Sequence, residues 1–245
     1  MNSGIAPRLG ATHHPAVCLR PRSSAKLRKM SASREYRNIA LVGFMGAGKT
    51  TVGSILAHLL QFEFLDTDRL IESRENRKIT DLFVTEGEAY FRQKENDLCH
   101  ELESATGKVI STGGGMIVHP DNLASLRRHA LLVCLWASPE TIYSRLKHQT
   151  HRPLLQTADP LTTIRDLMSR RAPAYKEADV LVGVDFRSPG DTARHIANSY
   201  RRLQSQSAAG REATPTGRFP EIPRDIPAAN LPCPPPAPSA LSPSS

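Results

Sequence analysis

Short, continuously hydrophobic runs alternate along the middle of the chain with longer stretches in which hydrophobic residues recur every three or four positions. The continuous runs predict β-strands at residues 38–43, 62–65, 109–111, 131–136 and 179–184. The periodic stretches predict helices that contain residues 52–60, 88–103, 139–147 and 161–178, and a closing helix from Pro189. Because strands and helices alternate, we expect an α/β domain whose parallel sheet is covered by helices on both faces.

Composition divides the chain into three parts. Residues 1–36 are rich in Arg, Ser and Ala without hydrophobic periodicity, and residues 205–245 contain ten of the nineteen prolines. Segments of this kind cannot bury enough apolar surface to offset the entropy lost on ordering. We therefore predict a disordered basic leader and a disordered proline-rich tail on either side of one folded domain, residues 37–204.

The net charge of +8 is distributed unevenly along the chain. Residues 1–34 contain seven Lys or Arg and no acidic residue, whereas residues 35–203 carry a net charge of only +1. Nucleic-acid binding is thus an alternative that depends on the leader alone. No apolar run approaches the roughly 18 residues of a membrane-spanning segment, so we expect neither a nucleic-acid nor a membrane partner.

The cysteines and the leader bear on where the protein acts. Four cysteines without disulfide or metal-ligand spacing are typical of a reducing compartment. An Arg-containing leader without acids is also typical of organellar transit peptides. However, Met30 stands close to the start of the predicted domain and could be the true initiation site. We predict a monomeric cytoplasmic protein, with organellar import directed by residues 1–34 as the alternative.

A phosphate-binding motif follows the first predicted strand. Residues 43–50 read Gly-Phe-Met-Gly-Ala-Gly-Lys-Thr and match GxxxxGK[ST] between a strand and a helix, the context that this motif requires. The glycines allow backbone N–H groups to surround phosphate oxygens, at a helix N-terminus that favours anions. Lys49 is expected to reach the β- and γ-phosphates, and the hydroxyl of Thr50 to coordinate Mg²⁺. An accidental match to a glycine-rich turn is the weaker alternative.

Carboxylates follow the second predicted strand. Asp66 and Asp68 lie at its carboxyl end, the edge where open parallel sheets bind ligands. Residues two apart on a strand point the same way, so one carboxylate can help to hold Mg²⁺ while the other accepts a proton from an attacking hydroxyl. A pair of solvated loop acids is the alternative.

Two further patterns suggest an anionic acceptor. Arg92 and Glu95 are three apart in a predicted helix and can pair, which would orient the guanidinium toward a substrate carboxylate. Residues 113–115 are three consecutive glycines after a predicted strand, and their backbone can approach an anion closely. A surface ion pair and a plain flexible turn are the respective alternatives.

Taken in order, the motifs G-x-x-G-x-G-K-T, D-T-D, G-E-x-x-F-R-x-x-E, T-G-G-G and R-P-L-L resemble those of the shikimate kinase family across residues 38–203. This resemblance implies a P-loop NTPase-type three-layer sandwich with a five-stranded parallel sheet of order 2-3-1-4-5 and a lid. It also implies an enzyme that uses ATP as co-substrate and Mg²⁺ as cofactor to phosphorylate the 3-hydroxyl of shikimate.

The resemblance implies a role for individual residues. The expected catalytic residues are Asp68, Lys49 and Arg152. The expected ATP-binding residues are Gly46, Ala47, Gly48, Lys49, Thr50, Thr51, Arg152 and Arg187. The expected shikimate-binding residues are Asp68, Arg92, Gly113, Gly114, Gly115 and Arg171. The expected Mg²⁺ ligands are Thr50 and Asp66.

The predicted lid comprises residues 148–160, a polar stretch interrupted by prolines, for which an ordinary surface loop is the alternative. Many members of the family carry a second basic residue two positions before the lid arginine, where this chain has Thr150. Two other functions stay open from the residues alone. One is a P-loop kinase for another small acceptor such as gluconate, and the other is a catalytically silent regulatory P-loop module.

Overall fold

The central sheet consists of five parallel strands. The structure is a computed structural model, which describes Arg34 and residues 36–148 and 157–209. The strands are β1 (Asn38–Val42), β2 (Glu63–Asp66), β3 (Lys108–Ser111), β4 (Ala130–Trp136) and β5 (Val180–Gly183). Their order in the sheet is β2-β3-β1-β4-β5, with every neighbouring pair parallel. The predicted α/β architecture and strand order are confirmed.

Eight α-helices connect and flank the described strands. In chain order they are α1 (Lys49–Leu60), α2 (Thr67–Glu75), α3 (Ile79–Thr85), α4 (Gly87–Glu101), α5 (Pro120–His129), α6 (Pro139–Leu146), α7 (Pro160–Tyr175) and α8 (Pro189–Ala209). Single 3₁₀ turns lie at Leu102–Ser104 and Met116–Val118. None of the helices within the described ranges is long and apolar enough to cross a membrane.

Strands β1 and β4 form the centre of the hydrophobic core. All five residues of β1 and the first six of β4 are buried, because helices cover both faces of a parallel sheet. Helices α5, α6 and α7 each begin with proline, whose backbone conformation suits the first helical turn. The hydroxyl of Ser138 additionally caps α6 by accepting a hydrogen bond from the amide of Thr141. These features define the helix starts.

Several element boundaries differ from the predictions. The pattern did not predict α2, α3 or α5. The helix predicted over residues 161–178 ends at Tyr175, and the strand predicted over residues 179–184 spans only Val180–Gly183. The last helix runs to Ala209, beyond residue 204, at which we placed the end of the folded domain. Arg34, which we assigned to the leader, donates hydrogen bonds to Asp179 (2.7 Å) and to the carbonyl of Ala130 (2.9 Å). These contacts tie Arg34 to the domain.

The carboxyl edge of the sheet carries the candidate chemistry. β1 leads into the phosphate loop, β2 ends at Asp66, and β3 leads into the glycine turn, which we define as residues 113–115. Since β3 lies between β1 and β2, these three segments emerge side by side. Parallel sheets bind ligands at this edge.

Candidate active site

The phosphate loop has the backbone conformation that its glycines permit. Gly43 and Gly48 have φ angles of 135° and 94°, values that residues with a side chain rarely adopt. A Cβ atom on Gly43 would also lie 2.4 Å from the carbonyl oxygen of Leu135. Gly48 is the N-cap of α1, so the loop ends at the positive end of a helix.

The loop also positions the groups expected to act on ATP. Lys49 is largely buried, and its ammonium donates hydrogen bonds to the carbonyl oxygens of Gly43 (2.9 Å) and Phe44 (3.1 Å). The hydroxyl of Thr50 donates to Asp66 Oδ2 over 2.9 Å. A hydroxyl and a carboxylate side by side are oxygen ligands of the type that Mg²⁺ prefers, with phosphates and water as its other ligands. The two residues therefore fit the predicted Mg²⁺ site.

A cavity of about 520 Å³ opens over the loop. It brings together residues predicted to bind ATP or Mg²⁺ and residues predicted to bind the acceptor. The predicted residues that line it are Gly46, Ala47, Gly48, Lys49, Thr50, Thr51, Asp66, Asp68, Gly114 and Arg187. The phosphate loop and the acidic pair, Asp66 and Asp68, thus face one common space.

The acidic pair is built differently from our expectation. Asp66 ends β2 and caps α2 by accepting a hydrogen bond from the amide of Arg69, whereas Asp68 lies in the first turn of α2. The two carboxylates therefore do not share a strand face, and the reasoning from strand alternation was wrong. They line the same cavity because the helix begins directly at the sheet edge, where its N-terminal end also favours a negative charge.

Thr67, between the two acids, anchors the glycine turn. Its buried hydroxyl donates to the carbonyl of Ser111 (3.3 Å) and accepts a hydrogen bond from the amide of Gly113 (3.0 Å). The sequence analysis did not identify this role. A small hydroxyl residue between two acids was its only signal.

The three glycines make room for charged side chains. A Cβ atom on Gly113 would lie 2.6 Å from Asp68 Oδ1 and 2.8 Å from Glu95 Oε1, and one on Gly115 would lie 3.0 Å from Arg92 Nη1. Real Cβ atoms essentially never approach other atoms within 3.0 Å, so a side chain at Gly113 would displace both carboxylates. The turn is therefore a close-packed part of the site, which contradicts the plain-turn alternative.

Two carboxylates orient Arg92. Its Nη1 donates to Glu95 Oε2 over 2.6 Å, and its Nη2 donates to Glu88 Oε1 over 2.7 Å. Glu95 is only 1% exposed, so this pair is not the surface ion pair of the alternative. Burial raises the pKa of Glu95 above its ordinary value, and the neighbouring charge of Asp68 raises it further, while the hydrogen bond and charge of Arg92 lower it.

Arg171 reaches the glycine turn from α7. Its Nη1 donates to the carbonyl oxygen of Gly114 over 3.1 Å, and its guanidinium lies 5.7 Å from the ring centroid of Phe44 in the phosphate loop. Arg92 and Arg171 thus approach consecutive glycines, 115 and 114. Two guanidinium groups at one turn can bind a carboxylate.

The remaining site predictions have different outcomes. Arg187 lines the cavity, and its contact with the nucleotide stays a prediction. Arg152, Thr150 and most of the predicted lid lie outside the described residues.

Arg145 also lines the cavity but was not predicted. Its guanidinium donates to the carbonyls of Gly46 (3.2 Å) and Val184 (3.1 Å) and so connects the phosphate loop to the segment after β5. No sequence motif marks this residue, because its partners are backbone atoms remote in sequence.

Comparisons with known proteins agree on one family. Residues 45–201 match the family model described as shikimate kinase. The shikimate kinases of Thiobacillus denitrificans and Hahella chejuensis are 45% and 41% identical to the chain. These alignments cover 68% and 70% of the chain, and 87% and 90% of the respective relatives.

Solved structures give the same result. The Acinetobacter baumannii shikimate kinase in complex with shikimate has a TM-score of 0.65 at 37% identity, covering 71% of this chain and 97% of that one. The Aquifex aeolicus shikimate kinase has a TM-score of 0.60 at 33% identity and covers 71% and 99%, respectively.

Proposed function

The chain belongs to the shikimate kinase family, and we propose on this premise that it transfers the γ-phosphate of ATP to the 3-hydroxyl of shikimate, with Asp68 as the base. One observation carries the proposal. The phosphate loop and Asp68 line a single cavity at the carboxyl edge of the sheet, beside a glycine turn that two arginines approach. A phosphate donor and an anionic hydroxyl compound can therefore meet there.

On the ATP side, phosphoryl transfer requires positioning and neutralisation of negative charge more than covalent chemistry. We infer that the backbone amides of Gly46–Thr51 bind the phosphates and that the ammonium of Lys49 moves from the loop carbonyls to the phosphate oxygens. Thr50 and Asp66 would hold Mg²⁺, which when bound neutralises charge on the phosphates. Arg187 would contact the nucleotide, and Arg152 would add a positive charge from the proposed lid.

On the acceptor side, Arg92 and Arg171 would bind the substrate carboxylate beside the glycine turn. Asp68 would then accept the proton of the 3-hydroxyl as its oxygen forms a bond to the γ-phosphorus. The bond from that phosphorus to the β,γ-bridging oxygen breaks at the same time, and ADP leaves with the electron pair. A base placed in this way contributes about 10²- to 10⁴-fold to the rate.

The proposal extends to the state of the protein. We infer a monomeric cytoplasmic enzyme whose catalytic domain begins near residue 37 and ends with α8, between a leader and a proline-rich tail. Light scattering of the full chain tests the oligomeric state, and intact-mass measurement of the native protein tests the start at Met30. A mature N-terminus within residues 31–37 in an organelle would support import instead.

The first experiment measures ADP release by the full chain with Mg-ATP and shikimate, gluconate, CMP or no acceptor. We expect turnover with shikimate alone. Turnover with another acceptor would retain the kinase but overturn the roles of Arg92 and Arg171. ATP binding without turnover on any of them would favour a regulatory module.

The second experiment replaces Asp68 by Asn. The rate constant kcat should fall at least about 10²-fold, the contribution of a positioned base, while calorimetry should still detect shikimate binding. If kcat stayed near the wild-type value and only binding weakened, Asp68 would be a binding residue and not the base.

A further inference from the structure

A buried tyrosine side chain contacts the glycine turn from the side of α7. Tyr175, the last residue of α7, is 1% exposed, and its hydroxyl donates a hydrogen bond to the carbonyl oxygen of Gly114 over 2.9 Å. Arg171, one helical turn earlier, donates to the same oxygen over 3.1 Å. One carbonyl therefore accepts two hydrogen bonds from α7.

These hydrogen bonds set the orientation of one peptide plane. The described chain contains no cis peptide bond, so the N–H of Gly115 points opposite to the carbonyl of Gly114, away from α7. No hydrogen bond within the described residues uses this N–H. Holding the carbonyl toward α7 thus leaves the amide of Gly115 available to an acceptor on the other side of the turn.

The same peptide also lies between the two halves of the site. A Cβ atom on Gly114 would be 3.5 Å from the amide nitrogen of Met45 and 3.8 Å from the carbonyl oxygen of Gly43. The turn therefore packs directly on the phosphate loop. A rotation of this peptide would shift the acceptor relative to the phosphates, and phosphoryl transfer is sensitive to such misplacement.

The phenol is suited to this task because its donor is permanent. A phenol keeps its proton at neutral pH even at its ordinary pKa of about 10, and burial raises the pKa of Tyr175 further, to about 12. Arg171, in contrast, has a second task in the proposed function, since its guanidinium would also bind the substrate carboxylate. A second donor on Gly114 allows the carbonyl to stay in place while the arginine engages the ligand.

We propose that Tyr175 is a positioning residue for the acceptor: its hydroxyl holds the Gly114–Gly115 peptide so that the amide of Gly115 faces the bound anion. This inference rests on the proposed function, because it takes shikimate as the anion. Tyr175 itself does not line the cavity and acts through the turn.

Replacing Tyr175 by Phe removes only the hydroxyl. The matched control is Tyr200→Phe, because Tyr200 is also buried (6% exposed) and its hydroxyl donates to the carbonyl of Tyr36 over 2.8 Å, without lining the cavity. We expect Y175F to raise KM for shikimate about tenfold, because the hydrogen bond from the amide of Gly115 to the substrate carboxylate would be weakened. KM for ATP should change less than about twofold in both variants, and Y200F should keep the wild-type KM for shikimate.

The outcomes separate positioning from packing. Thermal unfolding should show a similar loss of stability in Y175F and Y200F, so that only the KM for shikimate distinguishes them. An unchanged KM for shikimate in Y175F would overturn the inference, as would an equal rise in both variants or an equal rise for both substrates. If the wild-type chain itself does not turn over shikimate, the proposed function fails first, and the inference fails with it.

Discussion

The two carboxylates on Arg92 allow a direct test of how burial determines the strength of an ion pair. Glu95 and Glu88 both hydrogen-bond the guanidinium, at 2.6 Å and 2.7 Å, but Glu95 is 1% exposed and Glu88 is 65% exposed. Glutamine has nearly the same shape as glutamate, but it removes the charge and replaces one acceptor oxygen by an NH₂ group. Glu95→Gln and Glu88→Gln are therefore matched perturbations of one arginine.

The expected magnitudes differ between the two variants. A hydrogen bond to a charged group contributes about 1.5–3 kcal/mol when buried, whereas an exposed pair contributes about 0.2–1 kcal/mol. Arg92 is itself 33% exposed, so screening by solvent favours the lower end of the first range. At about 1.4 kcal/mol per factor of ten, E95Q should raise KM for shikimate about tenfold, and E88Q less than about fivefold.

The assay is initial-rate ADP release at varied shikimate and saturating Mg-ATP, with both variants measured at low and high salt. The small effect of E88Q should disappear at high salt, whereas that of E95Q should persist, because salt screens exposed charges more than buried ones. Equal rises in KM would refute the reasoning from burial. A fall in kcat without a rise in KM would show that Glu95 acts through Asp68 instead of Arg92.

Two further predictions test the packing and the buried titratable groups. Gly113→Ala should lower kcat about 10²-fold, because its Cβ atom would meet Asp68 at 2.6 Å and displace this proposed base. The control is Gly183→Ala, whose Cβ atom would have no neighbour within 4 Å and which should leave kcat unchanged in the same assay. A wild-type kcat in G113A would show that the glycine turn can shift to accommodate the methyl group. Burial lowers the pKa of His129 from 6.5 to about 4, so the unfolded chain takes up a proton between these values that the folded protein does not. The free energy of unfolding should therefore fall as the pH drops from about 6.5 to about 4, by up to about 1.4 kcal/mol per pH unit, and should be insensitive to this group above pH 7. Urea unfolding across this pH range should show a shallower loss for His129→Gln, and parallel curves for the variant and the wild type would contradict the assignment.

The strands were predictable because burial on both faces leaves a continuous apolar run. The first six residues of β4 are all buried, and the sequence there is continuously apolar. Helix α2 was missed for the opposite reason, since Thr67–Glu75 is mostly polar and buries only Thr67 and Ile71. Tertiary packing and the cap by Asp66 stabilise it, and neither produces a hydrophobic period.

The site was predictable where a motif specifies the chemistry and unpredictable where a side chain bonds remote backbone. Lys49, Asp68 and Arg92 stand in recognisable motifs, and the structure brings them to one edge of the sheet. Arg145 and Tyr175 instead donate to carbonyls that are 99 and 61 residues away along the chain. Because a carbonyl oxygen is present at every position of the chain, no sequence pattern indicates which one a side chain will bind.

The phosphate loop is one unbroken run of residues, 43–50, whereas the proposed acceptor side is assembled from α2, α4, the glycine turn and α7. In the proposed site, substitutions in α4 can therefore alter which hydroxyl compound is bound while the nucleotide-binding residues stay unchanged. The phosphate loop and the acceptor side meet at Gly114, which packs on the loop and accepts a hydrogen bond from Tyr175 of α7. A change of acceptor could thus arise through those residues of α4 that face the site, whereas Phe91, Leu98 and Cys99 of the same helix are buried in the core. The contact at Gly114 would have to be kept for the new acceptor to reach the same phosphate.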